Sequence, residues 1–491
     1  MTQPLFWVIC ALFFLLLLHI LVIIYLLRRQ YFTRHVLSSP SVASYLVVYA
    51  SQTGQAEMWA KHTAEQLQVA GKNVSLVDIQ QLTKHHLQQS NTILWVVSTY
   101  GQGDAPDTAQ DFVHKILVEN LDLSQLSFAI LALGDKRYPN FCQFGQTIEQ
   151  WLLQQNAQSL FPTINVDQLN SRDLEQWLNA LEQLTLTEFT RLAVKKQWIE
   201  LELAYRQQIN AGSCGEAIYK IQLVGDEGLN WSSGDILEIQ CENNRAEIQQ
   251  FIETHSQYDF SNYISKLAIL NLRKQPINKN NSFAEWIDQF EVLPKREYSI
   301  ASLPENGLIE LVVRQQHTEV GLGVGSGWLT VGLEQGQILS AAIRVNPSFH
   351  LSKDQRPIIF IGNGTGIAGL LAHLRQREHW GFKRNWLIFG ERQRQFDHLY
   401  QAEINYWQQH GYLEHVDYAF SRDQMEKVYV QDCLKTHADR LIAWVDQGAA
   451  IYVCGSLKGM ASGVDQVLEE LLGIEQLQQL KRELRYLRDV Y

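Results

Sequence analysis

Metal-binding cysteine patterns are missing from this 491-residue chain: its six cysteines, Cys10, Cys142, Cys214, Cys241, Cys433 and Cys454, are scattered, with no CxxC pair and no ligand spacing. That distribution argues against iron–sulfur and zinc centres and fits a reducing compartment, so any redox chemistry here falls to organic cofactors. Positive charge is also in deficit, with 41 Lys and Arg against 52 Asp and Glu and a formal net charge of -11. Nucleic-acid binding is therefore not expected as the main activity. Apolar residues are not short: at 46% hydrophobic the chain can bury sizeable cores, and at roughly 150 residues per domain its length holds about three. A disordered or single-domain chain is excluded.

Between Leu5 and Leu27 there is no Asp, Glu, Lys or Arg. At about 1.5 Å per residue such a run crosses a hydrocarbon core of about 30 Å, which predicts a transmembrane helix. Met1–Pro4 are uncharged and Arg28, Arg29 and Arg34 follow the run, the reverse of a cleavable leader's order. The positive-inside rule then puts the bulk of the chain on the cytoplasmic side. The expectation is a single-pass anchor in the plasma (inner) membrane, with a tether ending in SSPSVAS, over residues 1–44.

From Tyr45, the strand-length run YLVVYA leads into Ser51, Gln52, Thr53, Gly54 and Gln55 and then a helical pattern. A strand, hydroxyl-rich loop and helix start make a phosphate cradle from backbone N–H and hydroxyl groups. GKS and GKT are absent, so this is not a nucleotide-hydrolase loop. Two more apolar strands, TILWVVS (Thr92 to Ser98) and FAILALG (Phe128 to Gly134), deliver Tyr100 with Gly101 and Tyr138 to their C-terminal ends. In an open parallel sheet ligands bind there, so the two tyrosines can flank a planar ring whose phosphate sits on Ser51 to Gln55.

The segments SQTGQAE, STYGQGDAPDTA and LGDKRYPNFCQFG resemble the FMN module of the NADPH-dependent diflavin reductases, a flavodoxin fold. The resemblance implies that Ser51–Gln55 hold the FMN phosphate, that Tyr100 and Tyr138 cover the ring, and that Asp167 matches an acid beside it. Asp104, Asp107 and Asp111 lie near the inferred flavin edge, either to steer a basic redox partner or as a solvated acidic helix start.

After a last helix near Ser171 to Leu184 the pattern turns to strands from about Lys196 and suggests an antiparallel barrel. In Arg296-Glu297-Tyr298-Ser299, alternation puts Arg296 and Tyr298 on one face and Ser299 on the other. Arg296 can pair with a diphosphate, Tyr298 can stack on a flavin and Ser299 can reach its N5 side. The pattern resembles the FAD site of the ferredoxin reductase-like barrel, with Gly325 and Ser326 in a glycine-rich helix start suited to the diphosphate. This chain has Gln315 where the family often has Tyr, and a strongly shortened connecting segment before Arg296.

PIIFIG leads into Asn363, Gly364, Thr365, Gly366 and a helix, another diphosphate loop. FGER ends a strand at Arg392, and AFSRDQMEKVYVQ gathers Ser421, Arg422, Lys427, Tyr429 and Gln431, a set suited to a 2′-phosphate and hence to NADPH. By resemblance Cys454 borders the nicotinamide, Asp489 acts with Ser299, and Tyr491 stacks on the FAD ring and moves aside for hydride transfer. Asn363 and Gly369 stand where relatives carry Pro, and Ser456 where many carry Asp. The ending RYLRDVY most resembles the sulfite reductase flavoprotein branch.

The expected architecture is thus a membrane anchor and tether over 1–44 and an α/β flavodoxin-like FMN domain over 45–190. An antiparallel β-barrel FAD domain with a short insert follows over 191–352, and an α/β NADP-binding domain of ferredoxin reductase type over 353–491. The expected function is electron transport from NADPH through FAD and FMN to a one-electron acceptor, preferably a haemoprotein at the membrane. Reduction of ferric chelates at the cytoplasmic membrane face is the alternative, and a non-catalytic flavin-binding sensor is a reading of another class. If Arg422 and Lys427 hold the 2′-phosphate, replacing both by Ala raises the KM for NADPH by about tenfold or more and leaves that for NADH little changed. Steady-state kinetics with the two nucleotides checks this, and equal changes would remove them from the role.

Overall fold

The structure, a computed structural model, describes residues 45–100, 103–136, 138–191, 197–277, 282–319 and 321–491. The expected span over Leu5–Leu27 and its tether lie outside these residues, and among the described residues no helix is long and apolar enough to cross a membrane. The chain divides into two compact units, Met1–Leu192 and Ala193–Tyr491.

The first unit is built on six parallel strands, β1 (Tyr45–Ala50), β2 (Val74–Asp78), β3 (Thr92–Ser98), β4 (Ser127–Gly134), β5 (Gln158–Ser159) and β6 (Ile164–Asp167), in the order β2-β1-β3-β4-β5 with β6 also on β4. The apolar runs make this a sheet covered on both sides. Alternate residues feed two cores: Val48, Trp95 and Ile130 pack with Phe144 and Ile148, while Val47, Leu94 and Leu131 pack with Trp59, Leu67 and Trp177. The helices Gln55–Val69 and Ser171–Thr185 cover one face and Gln143–Gln154 the other. Neighbours of β1 lead in opposite directions along the sheet, which opens a crevice at the C-terminal ends of β1 and β3.

The second unit contains two large sheets. β7 (Ile199–Gln208), β8 (Ile218–Val224), β9 (Ile236–Ile239), β10 (Arg296–Ser299), β11 (Ile309–Arg314) and β14 (Ile338–Arg344) form an antiparallel sheet in the order β10-β9-β14-β7-β8-β11. Its two edges approach each other where the Ala301 N–H donates to the Glu310 carbonyl at 2.8 Å, which curls the sheet into a barrel around Leu203, Ile221, Leu237, Leu311 and Leu339. β12 (His317–Thr318) and β13 (Gly321–Leu322) form a small hairpin before the helical turn Val324–Gly327. Among the described residues, the segment between β9 and β10 carries three short helices, Arg245–Thr254, Ile264–Ile269 and Phe283–Ile287. Phe251, Phe260, Trp286 and Phe290 give it an aromatic core of its own, and Asn244 with Glu247 and Ser282 with Glu285 cap two of the helices.

The other sheet is parallel, with β15 (Ile358–Asn363), β16 (Asn385–Glu391), β17 (His415–Phe420), β18 (Ala450–Gly455) and β19 (Tyr486–Val490) in the order β17-β16-β15-β18-β19. Ile218, Ala301, Val312 and Phe349 of the barrel share a core with Phe360, Leu370 and Tyr452 of this sheet and its helix Ile367–His379. That common core fixes the two sheets relative to each other and brings β10 beside the end of β19.

His373 lies wholly buried in this core against the rings of Phe349, Phe360 and Tyr452. Burial, reinforced by the positive charges of His350 and Arg377, pushes its pKa down to about 3. The native state therefore refuses a proton that the unfolded chain binds below about pH 6.5, and stability falls as pH falls through the window from about 6.5 to 3. One such group contributes at most about 1.4 kcal/mol per pH unit. His373→Leu is expected to flatten the acid limb of a plot of unfolding free energy against pH by up to one proton, measured by denaturant titration at stepped pH. Parallel curves for the two proteins would refute this.

Candidate functional site

In the first unit, β1 ends in a turn held by Ser98 at the end of β3, whose hydroxyl donates to the Ala50 carbonyl at 3.1 Å and accepts the Gln52 N–H at 3.4 Å. Gly54, at φ 78°, starts the helix Gln55–Val69 without a side-chain cap, so the first helical N–H groups are left for a ligand or water. The Ser51 hydroxyl is buried with no hydrogen-bond partner. An unpartnered hydroxyl beside a helix start, at the mouth of a parallel sheet, fits a bound phosphate.

Gln52 departs from the expectation. Its side-chain amide is nearly buried and locked both ways to Asp107, donating to Oδ2 at 3.1 Å and accepting the Asp107 N–H at 2.8 Å. The side chain therefore braces the cradle against the β3 loop instead of reaching a phosphate, and Asp107 is correspondingly tied down. Asp111 forms an ion pair with Lys115 on its own helix at 3.2 Å. Asp104 is exposed on a tight loop closed by the Tyr100–Asp104 bridge.

Tyr100 and Tyr138 are both half-buried at the ends of β3 and β4. Their loops touch: a methyl on Gly103 would lie 2.6 Å from the Asn140 Cβ. Asp167, at the end of β6, accepts the Lys136 N–H at 3.0 Å, so it holds the Tyr138 loop in place. Gly101 lies outside the described residues.

In the barrel, Arg296 and Tyr298 share one face as alternation predicts. A methyl on Gly325 would meet Arg296 Cγ at 2.4 Å and the Tyr298 hydroxyl at 3.1 Å, so only glycine lets the helix start approach this pair. The Arg296 guanidinium donates to the Lys295 carbonyl at 3.1 Å, and no carboxylate pairs with it among the described residues, which leaves its charge for an anion. The buried Ser326 hydroxyl accepts the Gln316 N–H at 3.0 Å. Gln315 is itself buried and donates to Thr330 at 2.7 Å, so its side chain is spent inside the barrel and is not displayed for stacking.

The two sheets of the second unit meet at a polar cluster. Strands β18 and β19 pair in parallel with Cys454 opposite Asp489, and Ser299 at the end of β10 donates to Asp489 Oδ2 at 2.9 Å. The Cys454 thiol donates to the same oxygen at 3.9 Å. Burial pushes the Asp489 carboxyl above its usual range, opposed by the Ser299 hydroxyl and the nearby Arg344. Burial and the adjacent Asp489 push the Cys454 thiol well above its usual value. The cysteine is thus a protonated donor and not a nucleophilic thiolate.

The glycine loop lies against this cluster. A methyl on Gly366 would stand 2.1 Å from the Cys454 carbonyl oxygen, and one on Gly369 3.1 Å from its sulfur. The Thr365 hydroxyl bonds the Tyr491 hydroxyl at 3.0 Å. The main chain of Tyr491 is fastened on both sides, to Gly455 and Leu457, each at 3.0 Å, while its side chain is half exposed.

Around the end of β16, Arg392 donates to the Cys214 carbonyl at 3.3 Å, and its own carbonyl accepts the Arg422 N–H at 2.8 Å. Ser421 donates to the Glu391 carbonyl at 3.3 Å. Arg422, Lys427 and Tyr429 are exposed, and neither cation has an acidic partner among the described residues, so both charges are available to an anion. Gln431 packs against Gly463 with a buried, unpartnered carbonyl oxygen.

Three features were not foreseen from the sequence. The Asn210 amide and Ser213 hydroxyl donate to Asp397 at 3.1 and 2.8 Å, which fastens the β7–β8 hairpin to the parallel sheet. Arg314 pairs with the buried Glu391 at 2.5 Å. The Asn363 side chain accepts the Ser456 N–H at 3.0 Å. These partners lie 187, 77 and 93 residues apart in the chain, and no motif links them.

The flavodoxin family model matches residues 47–179, and the oxidoreductase NAD-binding domain model matches residues 360–466. Similar proteins named NADPH sulfite reductase flavoprotein alpha-component occur in Mannheimia succiniciproducens (29% identical, covering 91% of this chain and 89% of the relative). Others are found in Vibrio cholerae (28%, 91% and 87%) and Bacillus subtilis (27%, 91% and 89%).

The glycines of the two loops differ in what they tolerate. Gly366→Ala must push β18 away, so a loss of stability of several kcal/mol, about 3 or more, is expected together with loss of nucleotide binding. Gly54→Ala meets no atom within 4 Å and bears only its positive φ, a cost of about 1–2 kcal/mol. Urea unfolding of the two variants checks the order, and equal losses would contradict the close approach at Gly366.

Proposed function

The chain belongs to the NADPH-dependent diflavin reductase family, and on that premise we propose that it is a membrane-anchored NADPH oxidoreductase delivering electrons one at a time to a haemoprotein. As an NADPH-dependent diflavin oxidoreductase it uses FMN, FAD and NADPH. In the proposed assignment, Ser51, Thr53, Gly54 and Gln55 hold the FMN phosphate beneath Tyr100 and Tyr138. Arg296, Tyr298, Gly325 and Ser326 hold FAD. Gly364, Thr365 and Gly366 hold the NADPH diphosphate, and Ser421, Arg422, Lys427 and Tyr429 hold the 2′-phosphate, with Arg392 and Gln431 beside them. Bound there, the flavins supply what side chains cannot, accepting an electron pair and releasing electrons singly.

The observation that carries the reading is the convergence of Ser299 and Cys454 on Asp489, beside the glycine loop. Asp489 holds the serine hydroxyl and the thiol in fixed orientation, so both polar groups are in place before a nicotinamide arrives and need no reorganisation. In the same assignment the Tyr491 side chain stacks on the FAD ring and moves aside for the nicotinamide, which its main chain, fastened to Gly455 and Leu457, allows by side-chain rotation.

The acceptor and the anchor rest on other supports. The relatives' names describe the flavoprotein component of a larger reductase, which favours transfer to a second protein. The apolar run Leu5–Leu27 favours an acceptor at the cytoplasmic face of the membrane. With a net charge of -11, docking to a basic partner face is charge-steered and weakens with salt; a neutral ferric chelate would show no such dependence.

The test uses the full-length protein in detergent. Equal amounts of released FMN and FAD are expected, with rapid anaerobic bleaching by NADPH. Cys454→Ala is expected to retain both flavins and bleach about tenfold more slowly or worse. FAD alone or no bleaching would overturn the diflavin reading, and an unchanged stopped-flow rate in the variant would remove Cys454. Failure to reduce haem acceptors from the membrane fraction, with salt-independent reduction of a neutral ferric chelate, would favour the ferric chelate alternative.

A further inference from the structure

Arg314 closes β11, the edge strand of the barrel, and Glu391 closes β16, beside the strand that leads into the glycine loop. The two side chains meet at 2.5 Å. Only 3% of the Glu391 side chain is exposed, and burial pushes its carboxyl upward while Arg314 opposes the shift. An unpaired carboxylate at that depth is costly and repels any anion approaching the loop. Arg314 removes both problems.

The position of the guanidinium goes further than pairing requires. A methyl built on Gly364, the first loop glycine, would lie 2.9 Å from Arg314 Nη2, so the cation rests directly against the loop. A guanidinium carries five N–H donors. One is used on Glu391, and the rest have no hydrogen-bond partner among the described residues.

We infer that Arg314 is a binding residue of the dinucleotide site: held by Glu391, it presents its remaining donors to the diphosphate that the glycine loop cradles. The inference rests on the proposed assignment of Gly364–Gly366 to that diphosphate. It assigns to the barrel a share of the nucleotide site, on a side chain that also ties the barrel to the parallel sheet. Arg422 and Lys427, by contrast, recognise a group that only NADPH carries.

This difference defines the experiment. NADP+ and adenosine 2′-monophosphate, which has the 2′-phosphate and adenine but no diphosphate, are titrated calorimetrically into the full-length flavin-loaded protein and into Arg314→Gln. The variant is expected to bind NADP+ about tenfold more weakly or worse, with the monophosphate within about twofold of wild type. The KM values for NADPH and NADH should rise by a common factor. Unchanged binding of both ligands, or equal weakening of both, would overturn the proposal and leave Arg314 a brace between sheets. Should Arg314→Gln fail to fold, Arg314→Lys keeps the charge but loses the planar fork, and a smaller weakening confined to NADP+ is expected. A wild-type protein that binds the monophosphate but not NADP+ would overturn the loop assignment itself, and the proposal with it.

Discussion

The parallel pairing of β18 with β19 is the constraint on which the second unit's chemistry depends. It sets Cys454 opposite Asp489 and delivers the chain's last residue to the mouth of the glycine loop. The barrel then has one arrangement in which Ser299 can meet the same carboxylate, and the shared core of Ile218, Ala301, Val312 and Phe349 with Phe360, Leu370 and Tyr452 enforces it. A buried acid with two donors tolerates little displacement, because each lost hydrogen bond leaves a polar group stranded away from water. Gly366 follows from the same constraint, since the Cys454 carbonyl occupies the space of any side chain there.

The two units solve one problem twice. Each parallel sheet places loops at the C-terminal ends of its strands, and each loop needs a residue without a side chain where an anion must come close to the backbone. In the first unit Gly54 takes the left-handed turn and the Ser51 hydroxyl remains unpartnered. In the second, Gly364 and Gly366 let the loop lie against Arg314 and Cys454. The barrel adds a third anion-facing surface, where Gly325 permits the helix start to rest on Arg296 and Tyr298.

Several places where this chain departs from its family's motifs have local physical accounts. Gln315 does not stand in for a stacking ring, because its amide is buried against Thr330. The Asn363 side chain accepts the Ser456 backbone N–H, which ties the glycine loop to the segment after Cys454 without a proline's rigidity; because the donor is main chain, nothing in the structure explains Ser456 itself. Gly369 stands beside the Cys454 sulfur, where a Cβ would lie 3.1 Å from it and the neighbours would have to give by a few tenths of an ångström.

Strand runs, the three glycine loops and the residues at their ends were legible in the sequence, because apolar runs of strand length and glycine-led turns are local in the chain and their physics acts within a few residues. Ser299, Cys454, Asp489 and Tyr491 were legible only as fragments of a family pattern, separated along the chain; the meeting of Ser299 and Cys454 at the Asp489 carboxylate is the work of sheet order and of a core shared between two sheets. The tertiary structure alone decided that Gln52 braces Asp107 instead of a phosphate, that Asp167 holds the Tyr138 loop, and that Arg314 and Glu391 face each other beneath Gly364. In each case the side chain's chemistry allowed several partners, and burial selected one, because a charge or amide removed from water must take the nearest complementary group that the fold brings to it.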